Sequence, residues 1–215
     1  MLKRILFILL VAVSTIFVMG FRNIHRQVVC FGDSITYGAR VDNKSWVYFL
    51  SEEHTGIEFI NAGKSGRKTS DKEQLLPFLK QCPDAGYYLI FLGVNDLKDG
   101  TDSMVNNCVA NMQWMITAIR KVNMKAKIVI LAPCDINLET MNEINVNKKY
   151  NTNTKQSLYK LETKYKQLAK KTHTEFISLL HVVSKPNYTD GLHPDIKGQK
   201  QIAKAVWKGL KKIRD

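Results

Sequence analysis

Short apolar runs alternate with amphipathic stretches along the chain. The runs have the length and composition of strands buried in a sheet, and they cover residues 28–31, 58–61, 87–92, 128–132 and 175–177. The stretches between them carry apolar side chains at helical spacing, for example Met104, Cys108, Met112, Met115, Ile116 and Ile119. This alternation predicts a single α/β domain, a three-layer α/β/α sandwich with a five-stranded parallel sheet of the flavodoxin-like type.

The first 26 residues have a different pattern from the rest. Lys3 and Arg4 precede a nearly continuous apolar run over residues 5–21. Such a start is typical of a signal peptide, and the run is also close to the lower length limit for spanning a bilayer. We therefore expect residues 1–26 to be a signal peptide or an uncleaved membrane anchor with a short linker, and residues 27–215 to be the folded domain. The protein is then exported: periplasmic, secreted, or attached to the membrane by this segment.

The chain is strongly basic, with a formal net charge of +13. Its lysines are spread over the helical segments and the C-terminal tail, without the interleaved aromatic residues of a nucleic-acid surface. We therefore expect a solvated basic surface and no nucleic acid partner. A non-catalytic module that binds a polysaccharide or a nucleic acid is the alternative from another functional class.

The four cysteines, Cys30, Cys82, Cys108 and Cys134, form no C-x-x-C pair. A zinc or redox motif is therefore not expected. Cys30 and Cys134 lie in or beside apolar strands, which predicts small buried side chains. Cys82 and Cys108 could pair in an oxidising compartment, and the sequence leaves that question open.

A candidate nucleophile, Ser34, directly follows the first strand, after Gly32 and Asp33. Parallel strands deliver their following loops to one edge of the sheet, so Ser34 is expected beside the loops that follow the other strands. One of those loops holds Asp190 and His193, three positions apart. There the carboxylate can hold one ring nitrogen as a donor and leave the other free to take a proton from Ser34. Such a set acts without a metal or cofactor, and we expect neither.

Four short motifs, in order, resemble those of the SGNH or GDSL-type esterases (acylhydrolases): Gly32–Ser34, Asn61–Gly66, Gly93–Asp96 and Asp190–His193. The resemblance covers essentially the whole chain after the leader, so residues 27–215 are expected to be an SGNH hydrolase domain. It implies that Ser34 is the nucleophile, His193 the base and Asp190 the orienting acid. It also implies an oxyanion hole built from the backbone amides of Ser34 and Gly66 and the side chain of Asn95.

A finer resemblance is to the arylesterase branch of that family, carried by Ser65–Thr69, Asn95–Lys98 and Leu131–Pro133. That branch acts on short acyl esters, acetate especially. The resemblance therefore implies an acetylesterase whose substrate is a small ester or an acylated carbohydrate. An acyltransferase that uses the same site is the alternative within the family.

Two further features lie beside these motifs. Arg67 and Lys68 follow the glycine of the second motif, and we expect a solvated pair rather than one that steers substrate. The segment 134–153 is polar, carries several asparagines and lacks periodicity, which predicts a long functional loop. Lys68 and Cys134 are departures from the arylesterase branch, which usually has Thr and Pro at these two positions.

Overall fold

The structure, a computed structural model, describes residues 27–214. The expected leader, residues 1–26, lies outside the described residues, so the leader and the export that depends on it stay predictions. Within the described part of the chain, no helix combines the length and the apolar character needed to cross a bilayer.

The described residues contain one sheet of five parallel strands. The strands are β1 Gln27–Gly32, β2 Glu58–Gly63, β3 Tyr87–Phe91, β4 Lys127–Ala132 and β5 Glu175–Ser178. They lie in the order β2-β1-β3-β4-β5, so β1 is flanked by β2 and β3. In register, Phe31 of β1 lies between Ala62 of β2 and Ile90 of β3. The predicted α/β fold with a five-stranded parallel sheet is confirmed.

Helices cover both faces of this sheet. Over residues 27–214 the α-helices are α1 Ser34–Tyr37, α2 Trp46–Glu53, α3 Leu76–Gln81, α4 Asp102–Val122, α5 Glu143–Asn147, α6 Thr152–Thr172 and α7 Ile196–Arg214. Three 3₁₀ segments also occur in this part of the chain: Thr69–Leu75, Val94–Asp96 and Leu138–Thr140.

Successive strand residues point to opposite faces and enter two separate apolar cores. On one face, α3, α4 and α6 pack against side chains that include Val29 and Phe31. On the other face, α2 and α7 pack against side chains that include Val28 and Cys30, with Trp46 fully buried among them. Because both faces are covered, the strands have continuous apolar sequences rather than alternating ones. The apolar stripe of α4 lies in the first core, as its spacing predicts.

All four cysteines are free and buried, at positions 30, 82, 108 and 134. Cys82 and Cys108, for which the sequence left a disulfide open, therefore do not form one in this structure. Burial raises the pKa of the Cys30 and Cys108 thiols, the latter with a contribution from the nearby charge of Asp96. These thiols are therefore packing groups rather than reactive ones.

The polar segment 134–153 has more regular structure than its sequence predicts. The side chain of Asn137 caps the 3₁₀ segment Leu138–Thr140 by accepting a hydrogen bond from the Glu139 N–H. Asn142 caps α5 in the same way through the Asn145 N–H. Asparagines are preferred at helix starts because their side-chain oxygen satisfies a free backbone donor. These helices are too short to produce a periodic apolar pattern, so the sequence alone indicated only a loop.

Candidate active site

Ser34 lies at the carboxyl end of β1 and is the first residue of α1. Asp33 caps this short helix, with its Oδ1 accepting a hydrogen bond from the Ile35 N–H at 2.9 Å. Ser34 is largely buried and lines a cleft at the carboxyl edge of the sheet. Its Oγ is 3.0 Å from Nε2 of His193. The fold therefore places these two side chains, which are far apart in the sequence, within hydrogen-bonding distance.

The loop before α7 brings Asp190 against His193. Nδ1 of His193 is 2.8 Å from Asp190 Oδ2 and 3.1 Å from Oδ1. The backbone N–H groups of Leu192 and His193 donate to the same Oδ1, at 3.1 and 2.8 Å. Gly191 makes this tight turn with φ = 80°, in the left-handed region that favours glycine. A carboxylate in this position holds Nδ1 as the protonated nitrogen and leaves Nε2 to accept a proton from Ser34.

The electrostatic setting keeps Asp190 ionised. Burial alone would raise the pKa of Asp190, but hydrogen bonds from the side chain and backbone of His193 outweigh it and hold that pKa well below its usual range. Arg40 adds a longer contact, with its Nε 3.8 Å from Asp190 Oδ2 and its side chain 55% exposed. The charge that orients His193 is therefore present throughout the neutral pH range.

The segment predicted as a functional loop supports this turn through backbone contacts. The N–H of Asn137 donates to the carbonyl of Gly191 at 2.8 Å, and the N–H of Asn142 donates to the carbonyl of Asp190 at 3.3 Å. The buried side chain of Asn145 also donates to the Asp190 carbonyl, at 3.1 Å. Part of the segment lines the cleft directly, so it forms a wall of the candidate site.

Gly66 lies in the loop after β2 and lines the same cleft as Ser34. Its φ is 77°, and no heavy atom lies within 4 Å of the position that an added Cβ would take. Glycine is therefore suited to this position by its backbone conformation and not by lack of space. The loop is closed by a hydrogen bond from the Arg67 N–H to the carbonyl of Lys64 at 3.1 Å. The turn is therefore fixed, and the cleft beside Gly66 is open.

The expectation that Arg67 is solvated is wrong. Its side chain is buried, and its guanidinium donates to the carbonyl of Gly32 at 2.7 Å and to that of Ala62. The guanidinium carbon also lies 4.1 Å from the centre of the Phe31 ring. Arg67 therefore ties the ends of β1 and β2 together, which positions the two loops that follow them. Lys68, by contrast, is exposed.

Asn95 lies in the 3₁₀ segment after β3, with its side chain buried at the cleft. Its Oδ1 accepts a hydrogen bond from the hydroxyl of Tyr150 at 2.7 Å. Its Nδ2 donates to the carbonyl of Arg67 at 3.2 Å and is 3.5 Å from Asp33 Oδ2. Because the Tyr150 hydroxyl occupies the oxygen of the amide, the NH₂ group is held toward the loop that carries Gly66.

Two further carboxylates connect the motifs behind the cleft. Burial raises the pKa of Asp33 to about 6, although the hydrogen bond from Ile35 and the charge of His193 act to lower it. Asp96 accepts hydrogen bonds from the Thr69 N–H at 3.0 Å and from the Thr69 hydroxyl at 2.6 Å. This contact joins the segment that follows the Gly66 loop to the segment that holds Asn95.

The cleft has a volume of about 390 Å³, and it brings all the candidate site residues except Asp190 to one surface. Its lining consists of Ser34, Ala39, Arg40, Ser65, Gly66, Asn95, Lys98, Asn145, Lys148, Tyr150, Leu192 and His193. Among residues 27–214, no group of three or more His, Cys, Asp or Glu side chains is placed to hold a metal ion. The side chains present are suited to acyl transfer, because a hydroxyl contacts an oriented imidazole beside candidate oxyanion donors.

A sequence model of the GDSL-like Lipase/Acylhydrolase family matches residues 30–201. The chain belongs to this family. It is therefore a carboxylic ester hydrolase of the GDSL or SGNH type, and the family and reaction class expected from the four motifs are confirmed. No curated protein sequence matches the chain.

Solved structures of the same fold include several esterases. The carbohydrate acetylesterase Est24 from Sinorhizobium meliloti is 19% identical, with a TM-score of 0.75 and coverage of 87% of this chain and 99% of that one. The psychrotrophic esterase EstA from Pseudoalteromonas sp. is 19% identical, with a TM-score of 0.68 and coverage of 87% and 97%. The acetyl xylan esterase AlAXEase is 20% identical, with a TM-score of 0.66 and coverage of 85% and 98%. The SGNH hydrolase fold is thereby confirmed, and the arylesterase branch stays a prediction.

Sequence reasoning missed two residues that shape the site. The sequence indicates Tyr150 only as part of a polar loop, yet its hydroxyl orients Asn95. It is the one aromatic residue of the polar segment 134–153. A single aromatic side chain in a polar segment usually packs against the rest of the protein, so this position could have been recognised as a buried one. Asp96 follows Asn95 directly, but nothing in the sequence shows that it binds Thr69.

Proposed function

We propose that this hydrolase cleaves short acyl esters, acetyl esters above all, through a Ser34–His193–Asp190 triad and an acyl-enzyme intermediate. The observation that carries the proposal is the pair of contacts at His193: Nε2 is 3.0 Å from Ser34 Oγ, and Nδ1 is 2.8 Å from Asp190 Oδ2. A histidine between a hydroxyl and a buried carboxylate is the arrangement that general-base activation of a serine requires.

In the first half of the reaction, His193 Nε2 takes the hydroxyl proton while Ser34 Oγ bonds to the ester carbonyl carbon. The ionised Asp190 stabilises the imidazolium that forms. Collapse of the tetrahedral intermediate breaks the bond to the alcohol, and His193 returns the proton to the departing oxygen. The acyl group then remains on Ser34.

The oxyanion of that intermediate is assigned to the backbone amides of Ser34 and Gly66 and to Nδ2 of Asn95. One hydrogen of Nδ2 is engaged by the Arg67 carbonyl at 3.2 Å, whereas the contact with Asp33 is 3.5 Å long. A hydrogen bond at that distance is weak, so this second hydrogen is the one available to an oxyanion. Donors fixed in place before the reaction stabilise the developing charge without reorganisation.

In the second half, water replaces the alcohol as the nucleophile. His193 takes a proton from the water, the oxygen attacks the acyl carbon, and Ser34 departs with that proton. The products are the carboxylic acid and the free enzyme. These steps use only the ester, water, and the side chains and backbone amides named here.

The size and lining of the cleft support a small acyl group on a polar alcohol, such as an acetylated carbohydrate. Its volume of about 390 Å³ is near the lower end of the range for small-molecule sites. Most of its lining residues are polar or charged, with few apolar side chains to hold a long acyl chain. Two structures of the same fold are described as a carbohydrate acetylesterase and an acetyl xylan esterase.

The test is hydrolysis of p-nitrophenyl acetate and of a panel of acetylated sugars by the wild-type protein, by Ser34→Ala and by a matched control, Ser51→Ala. Ser51 lies in α2, and within residues 27–214 its hydroxyl donates only to the Val47 carbonyl of the same helix. We expect Ser34→Ala to lose about 10⁴-fold in kcat or more and the control to keep its activity. Equal turnover by Ser34→Ala and the wild type would remove Ser34 from the mechanism.

The panel also separates the finer alternatives. Adding butyryl and octanoyl esters measures the acyl preference, and we expect kcat/KM to fall as the chain lengthens. Adding an alcohol acceptor tests acyl transfer, because a transferase forms a new ester whereas a hydrolase releases only the acid. A preference for long acyl chains would contradict the acetylesterase proposal while leaving the triad in place.

A further inference from the structure

The lining of the active-site cleft is positively charged. Of the twelve residues that line it, three carry cationic side chains, and none carries a carboxylate. We call these three, Arg40, Lys98 and Lys148, the basic rim. They come from three separate parts of the chain: the loop after α1, the segment after β3, and the end of α5. The excess charge is therefore not a single run of lysines on one solvated helix.

Lys98 is the most constrained member of the basic rim. It is half-buried, and its Nζ lies 5.4 Å from the centre of the Tyr150 ring, within cation–π range. Burial lowers the pKa of Lys98, and the charges of Lys68 and Lys148 lower it further. Lys98 thus lies in the field of two other cations, and a bound anion would stabilise its charged form.

The carboxylates close to the cleft are already engaged. Asp190 binds His193 and the turn around it. Asp96 binds the N–H and hydroxyl of Thr69. Asp99 accepts hydrogen bonds from the side chains of two asparagines, 151 and 153. Within residues 27–214, neither Lys98 nor Lys148 forms an ion pair, whereas Arg40 has its long contact with Asp190.

We propose that the natural ester carries an anionic group, a carboxylate or a phosphate, on its alcohol part, and that the basic rim binds this group. The inference rests on the proposed function, because an acetyl group has no room for a second charge and the anion must therefore lie on the alcohol. Cationic walls around a small cleft also raise the local concentration of an anionic substrate. The planar guanidinium of Arg40 can bind either oxyanion through two parallel hydrogen bonds.

The test compares three soluble acetate esters of similar leaving group: para-acetoxyphenylacetamide, which is neutral, para-acetoxyphenylacetate, and para-acetoxybenzylphosphonate, which represents a phosphate and has no group that can leave after deacetylation. The methylene group separates the charge from the phenol, so the three esters have similar intrinsic reactivity. Acetate release gives kcat/KM for each, and the readout is the ratio of the anionic to the neutral value. The rim variant is Lys98→Gln/Lys148→Gln, and the control Lys166→Gln/Lys204→Gln removes two exposed charges that do not line the cleft.

We expect the wild type to prefer at least one anionic ester, and the ratio to fall about tenfold in the rim variant while staying unchanged in the control. Raising the ionic strength should lower the ratio for the wild type, because salt screens exposed charges. Preference for the carboxylate or for the phosphate identifies which anion the rim recognises.

Two results would overturn the inference. One is equal kcat/KM of the wild type for the anionic and neutral esters. The other is a ratio of anionic to neutral kcat/KM that falls by the same factor in the rim variant and in the control. Ser34→Ala is measured on the neutral ester in parallel. If it loses activity while the ratio shows no preference, the triad proposal stands and only the anionic substrate is wrong. If it retains full activity, the proposed function itself fails.

Discussion

The two sides of the cleft are held in different ways. On the base side, Asp190 to His193, the carboxylate and the imidazole are oriented by hydrogen bonds among residues at most three positions apart, while the segment 134–153 contacts the backbone carbonyls of the turn. The oxyanion side consists of the Gly66 loop and Asn95. It is held by hydrogen bonds between residues far apart in the sequence: Asn95 bonds to the Arg67 carbonyl, 28 positions away, and to the Tyr150 hydroxyl, 55 positions away. On the base side the two side chains are therefore oriented within one local turn, whereas the oxyanion side depends on the packing of three separate segments.

This difference has a mechanistic consequence. On the base side, each group has a role that no neighbour can take, so a single change should abolish proton transfer without loosening the fold. On the oxyanion side, several donors share one task, so single changes should give graded losses. Single variants on the two sides should therefore differ in the size of the activity that they lose.

Asp190→Asn should lower kcat by about 10⁴-fold. The asparagine can still accept the backbone hydrogen bonds of the turn, but it removes the charge that stabilises the His193 imidazolium. Hydrolysis of p-nitrophenyl acetate and thermal unfolding are the two measurements. A variant that is fully folded at the assay temperature but lacks activity supports the base-side account. Near-wild-type kcat would show that His193 acts without this carboxylate.

Asn95→Ala should lower kcat by about 10²–10³-fold. It removes one oxyanion donor and leaves the amides of Ser34 and Gly66 in place. KM for a small ester should change much less, because the oxyanion exists only in the transition state. A loss of kcat as large as that of Asp190→Asn would mean that the oxyanion donors do not share the task and that single changes on this side do not give graded losses.

Tyr150→Phe should lower kcat by about tenfold, because Asn95 loses the hydrogen bond that orients its amide. The matched control is Tyr159→Phe, whose hydroxyl contacts Asp135 on the surface. In the background of Asn95→Ala, Tyr150→Phe should cost little more, since its effect acts through that side chain. Additive losses in the double variant would assign Tyr150 a different role.

Asp33→Asn should change the pH dependence of stability. The folded pKa of Asp33, about 6, lies above its ordinary value of 3.8. The folded state therefore binds more protons, and stability that is fully present below pH 4 is lost as the pH rises through about 6. Urea unfolding from pH 4 to 7 should show this decline in the wild type relative to the variant. Parallel stability curves would contradict the assigned pKa.

The contrast between the two sides also explains how much of the site the sequence could predict. Asp190 and His193 are three apart, so their contact follows from one turn of backbone. The apolar runs are continuous because both sheet faces are buried, and this predicted the fold. The hydrogen bond from Tyr150 to Asn95 and the burial of Arg67 depend instead on how distant segments pack. No local pattern encodes either contact.

The central claim is that Ser34 is the nucleophile and carries the acyl group of the acyl-enzyme intermediate. The most direct measurement is to inactivate the protein with a fluorophosphonate, which captures an activated serine covalently, and to locate the adduct by peptide mass spectrometry. We predict one adduct, on Ser34, which forms in proportion to the loss of esterase activity and is absent in Ser34→Ala. An adduct on another residue, or full activity of the protein once Ser34 is modified, would contradict the account.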